Sequence, residues 1–300
     1  MAKSDYRDAV RKIKEHIAEG DIYQANLTQA FESETTTPGR ELYERLARTN
    51  PAPFSAYLRF PPGRMRDGSI DAAYPGIEVI SCSPERFWRK SGNVVESRPI
   101  KGTRARGNDP LSDRANLRAL LESGKDRAEL LMITDLERND LGTIAEIGSV
   151  RVAALRRPRA YASVWHLESI VRARLAPGLQ WHDVMRAMHP CGSITGAPKR
   201  RSVEILNEVE STPRGVYCGA IGWVNAAGDA DFSVAIRTAV KIGPTLRVHG
   251  GGGIVADSDC DAEYEESLVK IAPMLDSLLP SGIETTTHDI IHEKPTVEAR

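Results

Sequence analysis

Apolar positions Tyr6, Val10, Ile13 and Ile17 recur at three- and four-residue spacing behind Ser4, a candidate cap, and stop at Gly20. That period predicts an amphipathic helix over residues 4–19. Over residues 22–31 the period changes to two: Gln24, Asn26 and Thr28 alternate with Tyr23, Ala25 and Leu27, as on a strand with one polar face. Such a face either lines a pocket or lies solvated on an edge strand. A helix is expected over 40–49, a strand over 54–60, and a turn-rich surface insertion without chemistry over 61–76. Extended runs at 77–82, 86–90 and 93–100, separated by Ser83-Pro84 and Ser91-Gly92-Asn93, have the pattern of an antiparallel meander.

From 112 to 139 the pattern is helical, divided at Gly124, with Asp135, Arg138, Asn139 and Asp140 crowding a turn at its end. Strands are expected at 150–155 and 163–175, and a helix runs to 209 with Pro198 near its first position. Further strands are expected at 216–224 and 232–241, the second carrying Arg237. Asp257-Ser258-Asp259 caps a last helix. The polar stretch from Ser281 onward has no period and is expected to be disordered, leaving 1–278 as the folded domain and 279–300 as a tail.

Composition narrows the classes. With 40 basic against 41 acidic residues the net charge is −1, so no global field draws nucleic acid or an anionic membrane. Cys82, Cys191, Cys218 and Cys260 lie far apart without a C-x-x-C pair, against a zinc knuckle or a disulfide scaffold and in favour of a reducing cytoplasm. The N-terminus lacks an apolar signal core, and no window approaches the roughly 18–20 apolar residues of a membrane helix.

Candidate chemistry gathers at a few points. In Arg98-Pro99-Ile100-Lys101-Gly102-Thr103-Arg104, proline biases Arg98 towards extended backbone, placing Lys101 at a strand end. The segment alone reads first as a surface lysine in a basic loop; deprotonated, the same amine is a nucleophile. Glu85, out and back along a hairpin, can reach the same rim. Asp126 with Glu129, and Glu263 with Glu266 and Lys270, share helical faces at three- and four-residue spacing. Four carboxylates suit a Mg²⁺ site, or are solvated helix faces. The loop Cys191 to Lys199, glycine- and hydroxyl-rich, runs into a helix N-terminus and suits a carboxylate; it is not a Walker A loop. Arg237 suits bidentate capture of a carboxylate, Gly250–Gly253 permits close backbone approach, and His166, alone, reads as a hydrogen-bonded core histidine.

Together the motifs resemble the chorismate-utilising enzymes: anthranilate synthase and aminodeoxychorismate synthase components I, isochorismate synthase and salicylate synthase. The matching stretches are residues 20–27, Ser83-Pro84-Glu85, 99–107, 129–142 (ELLMITDLERNDLG), His166-Leu167, 192–199, Arg214-Gly215-Val216-Tyr217, Ala235-Ile236-Arg237 and 251–270, in the family's order. The resemblance implies an α+β fold in which two largely antiparallel sheets form a sandwich flanked by helices. It also implies Mg²⁺ held by Glu129 and Glu266 with Asp126 and Glu263 beside them, relatives often having glutamate where Asp126 stands. By the same resemblance Tyr217 and Arg237 grip the enolpyruvyl carboxylate, Thr195, Gly252 and Lys270 contact the ring, Glu85 is the general acid, and His166 is carried by both amino-transferring branches.

Gln24 stands where water-activating relatives place lysine, and P-I-K-G-T replaces the P-I-A-G-T of anthranilate synthases. Lysine there marks aminodeoxychorismate synthases. The implied activity is conversion of chorismate and ammonia to 4-amino-4-deoxychorismate, towards 4-aminobenzoate and folate, with a glutamine amidotransferase subunit supplying the nitrogen. Anthranilate synthase is the alternative. Relatives carry a further N-terminal region, so the chain is expected to be either a compact member or part of a longer polypeptide, and in the second case a non-catalytic chorismate-binding domain is a competing reading.

Overall fold

The computed structural model describes residues 1–66, 69, 74–161 and 164–278; the expected tail 279–300 lies outside the described residues. The elements, in order, are α1 (Lys3–Ala18), β1 (Gln24–Glu34), α2 (Gly39–Thr49), β2 (Phe54–Phe60), β3 (Ile77–Ser83), β4 (Arg86–Ser91), β5 (Val94–Ser97) and β6 (Ile100–Ala105). After these come α3 (Pro110–Glu122), α4 (Gly124–Gly142), β7 (Arg151–Ala160), β8 (Val164–Arg174), α5 (Trp181–Met188), a 3₁₀ turn (Gly192–Ile194) and β9 (Gly196–Ala197). The chain closes with α6 (Lys199–Val209), β10 (Ala220–Val224), β11 (Ala230–Val234), β12 (Thr238–Ile242), β13 (Thr245–Ile254) and α7 (Cys260–Leu278).

The fold is α+β with two antiparallel sheets. The first has strand order β2-β3-β12-β13-β1-β9; the second has β10-β11-β4-β5-β8-β6, with β7 pairing β8. Helices cover one face of each. Tyr6, Val10 and Ile13 of α1 are fully buried against Ala25 and Leu27 of β1, Ile205 of α6 and Tyr264 of α7. Each such apolar side chain contributes about 1.5–3 kcal/mol by leaving water. Phe87, Val95 and Val171 of the second sheet pack with Leu141 of α4 and with Val184 and Met188 of α5. The alternation expected in β1 holds from Gln24 on, with Ala25 and Leu27 entering the core and Gln24, Asn26 and Thr28 taking the other face, but Tyr23, expected beside Ala25, precedes the strand and is exposed.

The predicted meander is corrected. β3 belongs to the first sheet, pairing β2 and β12, whereas β4 and β5 belong to the second, so the chain changes sheets at Pro84-Glu85. The expected strand over 232–241 likewise divides: β11 pairs β4, β12 pairs β3, and Arg237 lies between them, outside any strand, with a left-handed φ of 48°. The two crossovers run side by side, Val234 N donating to Glu85 O at 3.1 Å and Cys82 N to Arg237 O at 3.0 Å. A left-handed backbone at a non-glycine residue costs roughly 1–2 kcal/mol, and this pairing holds it.

Smaller corrections follow the same physics. β5 ends at Ser97, and β6 continues along the same edge of β8, so Lys101 is the second residue of a strand rather than the end of one. Residues 216–219 form turns before β10, and Asp135 to Asp140 lie within α4. α1 begins at Lys3 without a side-chain cap, so Ser4 does not serve as one. Asp259 does cap α7, accepting from the backbone of Asp261 and Ala262.

The ten-residue β13 was not foreseen as a strand. Gly251 fits because the β1 backbone approaches closely, a Cβ there lying 2.1 Å from Leu27 O and 2.8 Å from Thr28 Cα, while a Cβ on Gly250 would lie 3.0 Å from Ser267 O of α7. Gly251→Ala is therefore expected to destabilise the protein by about 1–3 kcal/mol. The check is a lower urea midpoint at unchanged m-value.

Candidate active site

The 3₁₀ turn Gly192–Ile194 packs on α4, β1 and β9, and both Lys101 of β6 and Glu85 of the first crossover reach its Ser193. Lys101 Nζ donates to Ser193 O at 3.3 Å and lies 4.0 Å from a carboxylate oxygen of Glu129 on α4. Glu85, 4% exposed, accepts weakly from Ile100 N at 3.4 Å and interacts with the Ser193 hydroxyl. Burial pushes its carboxyl up to about 7, against the opposing pull of Ser193, Lys101 and the Ile100 amide. The expected meeting of acid and amine on one rim is therefore met, with Ser193 between them.

A β-bulge follows Lys101, and Gly102 O there contacts His166 Nδ1 at 3.1 Å, Thr103 Oγ1 lying 3.0 Å from the same nitrogen. A carbonyl only accepts, so Nδ1 carries the proton and Nε2 is left as a bare lone pair. Nε2 is buried with no partner. Burial, assisted by Arg237, pushes the imidazole down to about 4 despite the Gly102 bond, so it is neutral near pH 7.

Four acids stand across from Lys101. Glu266 pairs with Lys270 at 2.7 Å, and Lys270 Nζ donates to Gly251 O at 3.2 Å. Glu263, 3% exposed, accepts from Ser258 Oγ at 2.7 Å and lies 3.4 Å from Lys125 Nζ. Its Oε2 is buried without a partner. A Cβ on Gly252 would lie 3.3 Å from that oxygen, 3.4 Å from Lys270 Nζ and 3.7 Å from Glu266 Oε1, so only a glycine leaves this space open. Burial raises the Glu129 carboxyl, with Lys101, Lys125 and Lys270 opposing. For Glu266 burial acts in the same sense but the lysines outweigh it, and its carboxyl is lowered.

Asp126 is placed differently. It bonds Arg104 Nη2 at 3.1 Å beside Gly102. Among the described residues no three of these acids bring ligand oxygens within 4.8 Å of one another; lysines stand between them.

The remaining predicted residues lie on β1, just after the 3₁₀ turn, in the turn before β10 and at the second crossover. Gln24 is fully buried with both amide atoms unpartnered, and a Cβ on Gly253 would come within 2.4 Å of its Nε2. Thr195 is fixed by Oγ1 donating to Cys191 O at 2.9 Å and by its own carbonyl accepting from Asn26 N at 2.7 Å. Tyr217 stacks on His249 at 4.9 Å, and the next residue, Cys218, donates from its backbone to Ala235 O, tying this turn to the Arg237 crossover. The half-buried Arg237 guanidinium has no ion-pair partner among the described residues, and burial lowers its pKa.

Sequence reasoning missed Ser193, Lys125 and Arg214. Arg214 donates to Ile194 O at 2.7 Å and Asn26 O at 2.6 Å while paired with Glu210, so it ties the turn to β1. Arg214 and Ser193 lay within recognised motifs, residues 214–217 and 192–199, whereas Lys125 lay in none. A shallow hollow of about 380 Å³ by Arg151, Arg172 and Arg174 lies elsewhere on the second sheet; Arg172 and Arg174 are already paired with Glu96 and Glu146. Among the described residues no helix is long and apolar enough to cross a membrane.

The chain is 42% identical over 278 residues to aminodeoxychorismate synthase component 1 of Salmonella typhimurium, covering 93% of this chain and 58% of that protein. It is 40% identical over 268 residues to anthranilate synthase component 1 1 of Haloarcula marismortui, covering 89% and 52%. The crystal structure of anthranilate synthase component I from Streptococcus pneumoniae superposes with a TM-score of 0.79 at 33% identity, covering 91% of this chain and 58% of that one. The chain thus spans little more than half the length of these relatives. The model of the chorismate binding enzyme family matches residues 1–276, and the chain belongs to that family.

Proposed function

We propose that the protein aminates chorismate at ring C4, giving 4-amino-4-deoxychorismate. The observation that carries this reading is Lys101, held on Ser193 O within the same cluster as the buried acid Glu85. Glu85, protonated, gives its proton to the departing 4-hydroxyl while deprotonated Lys101 forms a bond to C2 and the ring double bonds shift. Ammonia then bonds to C4, the C2–N bond to Lys101 breaks, and the amine is regenerated. The balance is chorismate plus ammonia giving the amino product plus water.

Arg237 and Tyr217 hold the enolpyruvyl carboxylate, and Thr195, Gly252 and Lys270 face the ring and its carboxylate. Gln24 presents a neutral amide where a basic residue would activate water. His166 offers Nε2 as an acceptor within the cleft. Mg²⁺ fits the acids: the donor set is all oxygen, and the unpartnered buried Oε2 of Glu263 is an orphan that a cation would satisfy. Glu129 and Glu266 would hold it, with Asp126 and Glu263 beside them, and its charge would neutralise the ring carboxylate. A glutamine amidotransferase is the proposed source of ammonia, in keeping with the "component 1" in the relatives' names.

Formation of anthranilate is the second reading, favoured by the anthranilate synthase of Haloarcula marismortui at similar identity. Incubation with chorismate, Mg²⁺ and ammonium, with pyruvate assayed by lactate dehydrogenase, separates the two. Chorismate consumption with an aminated product and no pyruvate is expected. Stoichiometric pyruvate would transfer the assignment to the second reading.

A further inference from the structure

Glu137 is an acid that the reaction just described does not use. It lies on α4, fully buried, between the second sheet and the Gly192–Ile194 turn. Its Oε2 is 2.8 Å from Ser97 Oγ, and Ser97 Oγ is also 2.8 Å from Phe87 O. A hydroxyl has one proton, and a carbonyl can only accept. If the Ser97 proton goes to Phe87 O, the proton in the second contact must come from Glu137. On the other side, Glu137 Oε1 accepts from Gly192 N at 3.3 Å and faces the Cys191 thiol at 3.7 Å.

A neutral carboxyl satisfies both sides at once, donating to β5 and accepting from the turn. Its surroundings agree. Burial, with Asp140 acting in the same sense, pushes this carboxyl up to about 7 against Lys199 and against the hydrogen bonds that its ionised form would accept from Ser97 and the Gly192 amide. The charged or titratable groups facing it are Asp140 on α4, Lys199 of α6, itself bound to Asp140 at 2.5 Å, and Cys191. Beyond Cys191 the next acid is Glu85, which also acts on that thiol.

The turn that Glu137 holds is the one on which the reacting groups rest. Cys191 Sγ lies 3.3 Å from Ser193 Oγ, the Ser193 hydroxyl interacts with Glu85, and Ser193 O accepts from Lys101. The turn packs directly on α4, with no room for a side chain at Gly192: a Cβ there would lie 2.5 Å from Leu136 Cδ2. We infer that Glu137, in its protonated form, is a positioning residue that locks the Gly192–Ile194 turn under Lys101 and Glu85, and that its ionisation loosens that lock. The inference rests on the assignment of Lys101 and Glu85 as reacting groups.

The test uses Glu137→Gln and Glu137→Ala, read by thermal melting across pH and by chorismate consumption with ammonium, whichever aminated product forms. Glutamine reproduces the neutral acid, its Nε2 donating to Ser97 and its Oε1 accepting from Gly192 N. At pH 6 Glu137→Gln is expected to keep kcat within about twofold, while Glu137→Ala loses about tenfold in kcat with KM changed much less. The melting temperature of Glu137→Gln relative to wild type should rise between about pH 4 and pH 7 and then level off. The reason is that stability from a carboxyl raised in the fold is complete below its unfolded pKa and lost as pH climbs through the folded one.

A folded Glu137→Gln protein as slow as Glu137→Ala, or a melting difference constant across pH, would overturn the inference. The melting arm needs no turnover and the consumption arm no particular product, so neither result depends on where the nitrogen is added.

Discussion

Lys101→Ala is expected to lower kcat for amination of chorismate by about a hundredfold or more, equivalent to about 2.7 kcal/mol of barrier. The variant should remain folded. Lys101 contributes a 3.3 Å bond to Ser193 O and a 4.0 Å contact with Glu129, and pairs of that length contribute about 1 kcal/mol or less. Chorismate affinity should fall little, because the proposed substrate contacts of Arg237, Tyr217 and Lys270 are untouched. The measurement is kcat and KM by chorismate disappearance, with folding checked by circular dichroism. Undiminished formation of the amino product would remove Lys101 as nucleophile and leave it as a counter-charge to Glu129.

The second large effect is at Glu85. Its carboxyl, raised to about 7 by burial, is still protonated in a large fraction of molecules near neutral pH, where an ordinary glutamate is ionised, and only that fraction can protonate a leaving hydroxyl. Glu85→Gln preserves shape and hydrogen bonding but has no proton to give, and is expected to lower kcat by about 10²–10⁴-fold. In the wild type, kcat should decline as pH rises through about 7, where Glu85 ionises. The sign for stability is the same. Burial raises the folded pKa above the roughly 4.3 of a free glutamate, so stability is complete below that value and is lost as pH climbs towards 7. Glu85→Gln should therefore gain melting temperature relative to wild type over that window while losing turnover. A variant that lost both would show a structural role instead.

Much of this was legible before any coordinates, and the limits have physical causes. Helical periods marked α1 and α2, and the i, i+3 acids correctly placed Glu129 on α4 and Glu263 with Glu266 on α7, because a helix fixes its faces through local geometry alone. Sheet membership was not legible. At Pro84-Glu85 and at Ala235 to Arg237 the chain passes from one sheet to the other within continuous extended runs, and a strand's own residues do not say which strand it pairs. β13 escaped notice because four consecutive glycines carry no side chains on which a period of two could be read.

The site shows the same division. Lys101, Glu85, Arg237 and the four acids were candidates by residue type, each with a bland reading beside it, until the family's motifs singled them out together. Ser193 acts on Lys101 through a backbone carbonyl, which any residue could supply, and Glu137 was one acid among several in a charged run until burial singled it out. Of the lysines set among the acids, Lys270 was read on the face of Glu263 and Glu266, whereas Lys125 was beyond reach, since it meets Glu263 from a separate helix.

The central claim is that nitrogen enters at ring C4 by way of Lys101, and the most direct test is the position of that nitrogen. Chorismate, Mg²⁺ and nitrogen-15-labelled ammonium are incubated with the protein, and the product is read by carbon–nitrogen coupling in NMR. Label on C4, with the enolpyruvyl group retained, is the predicted result; label on C2 with release of pyruvate would contradict it.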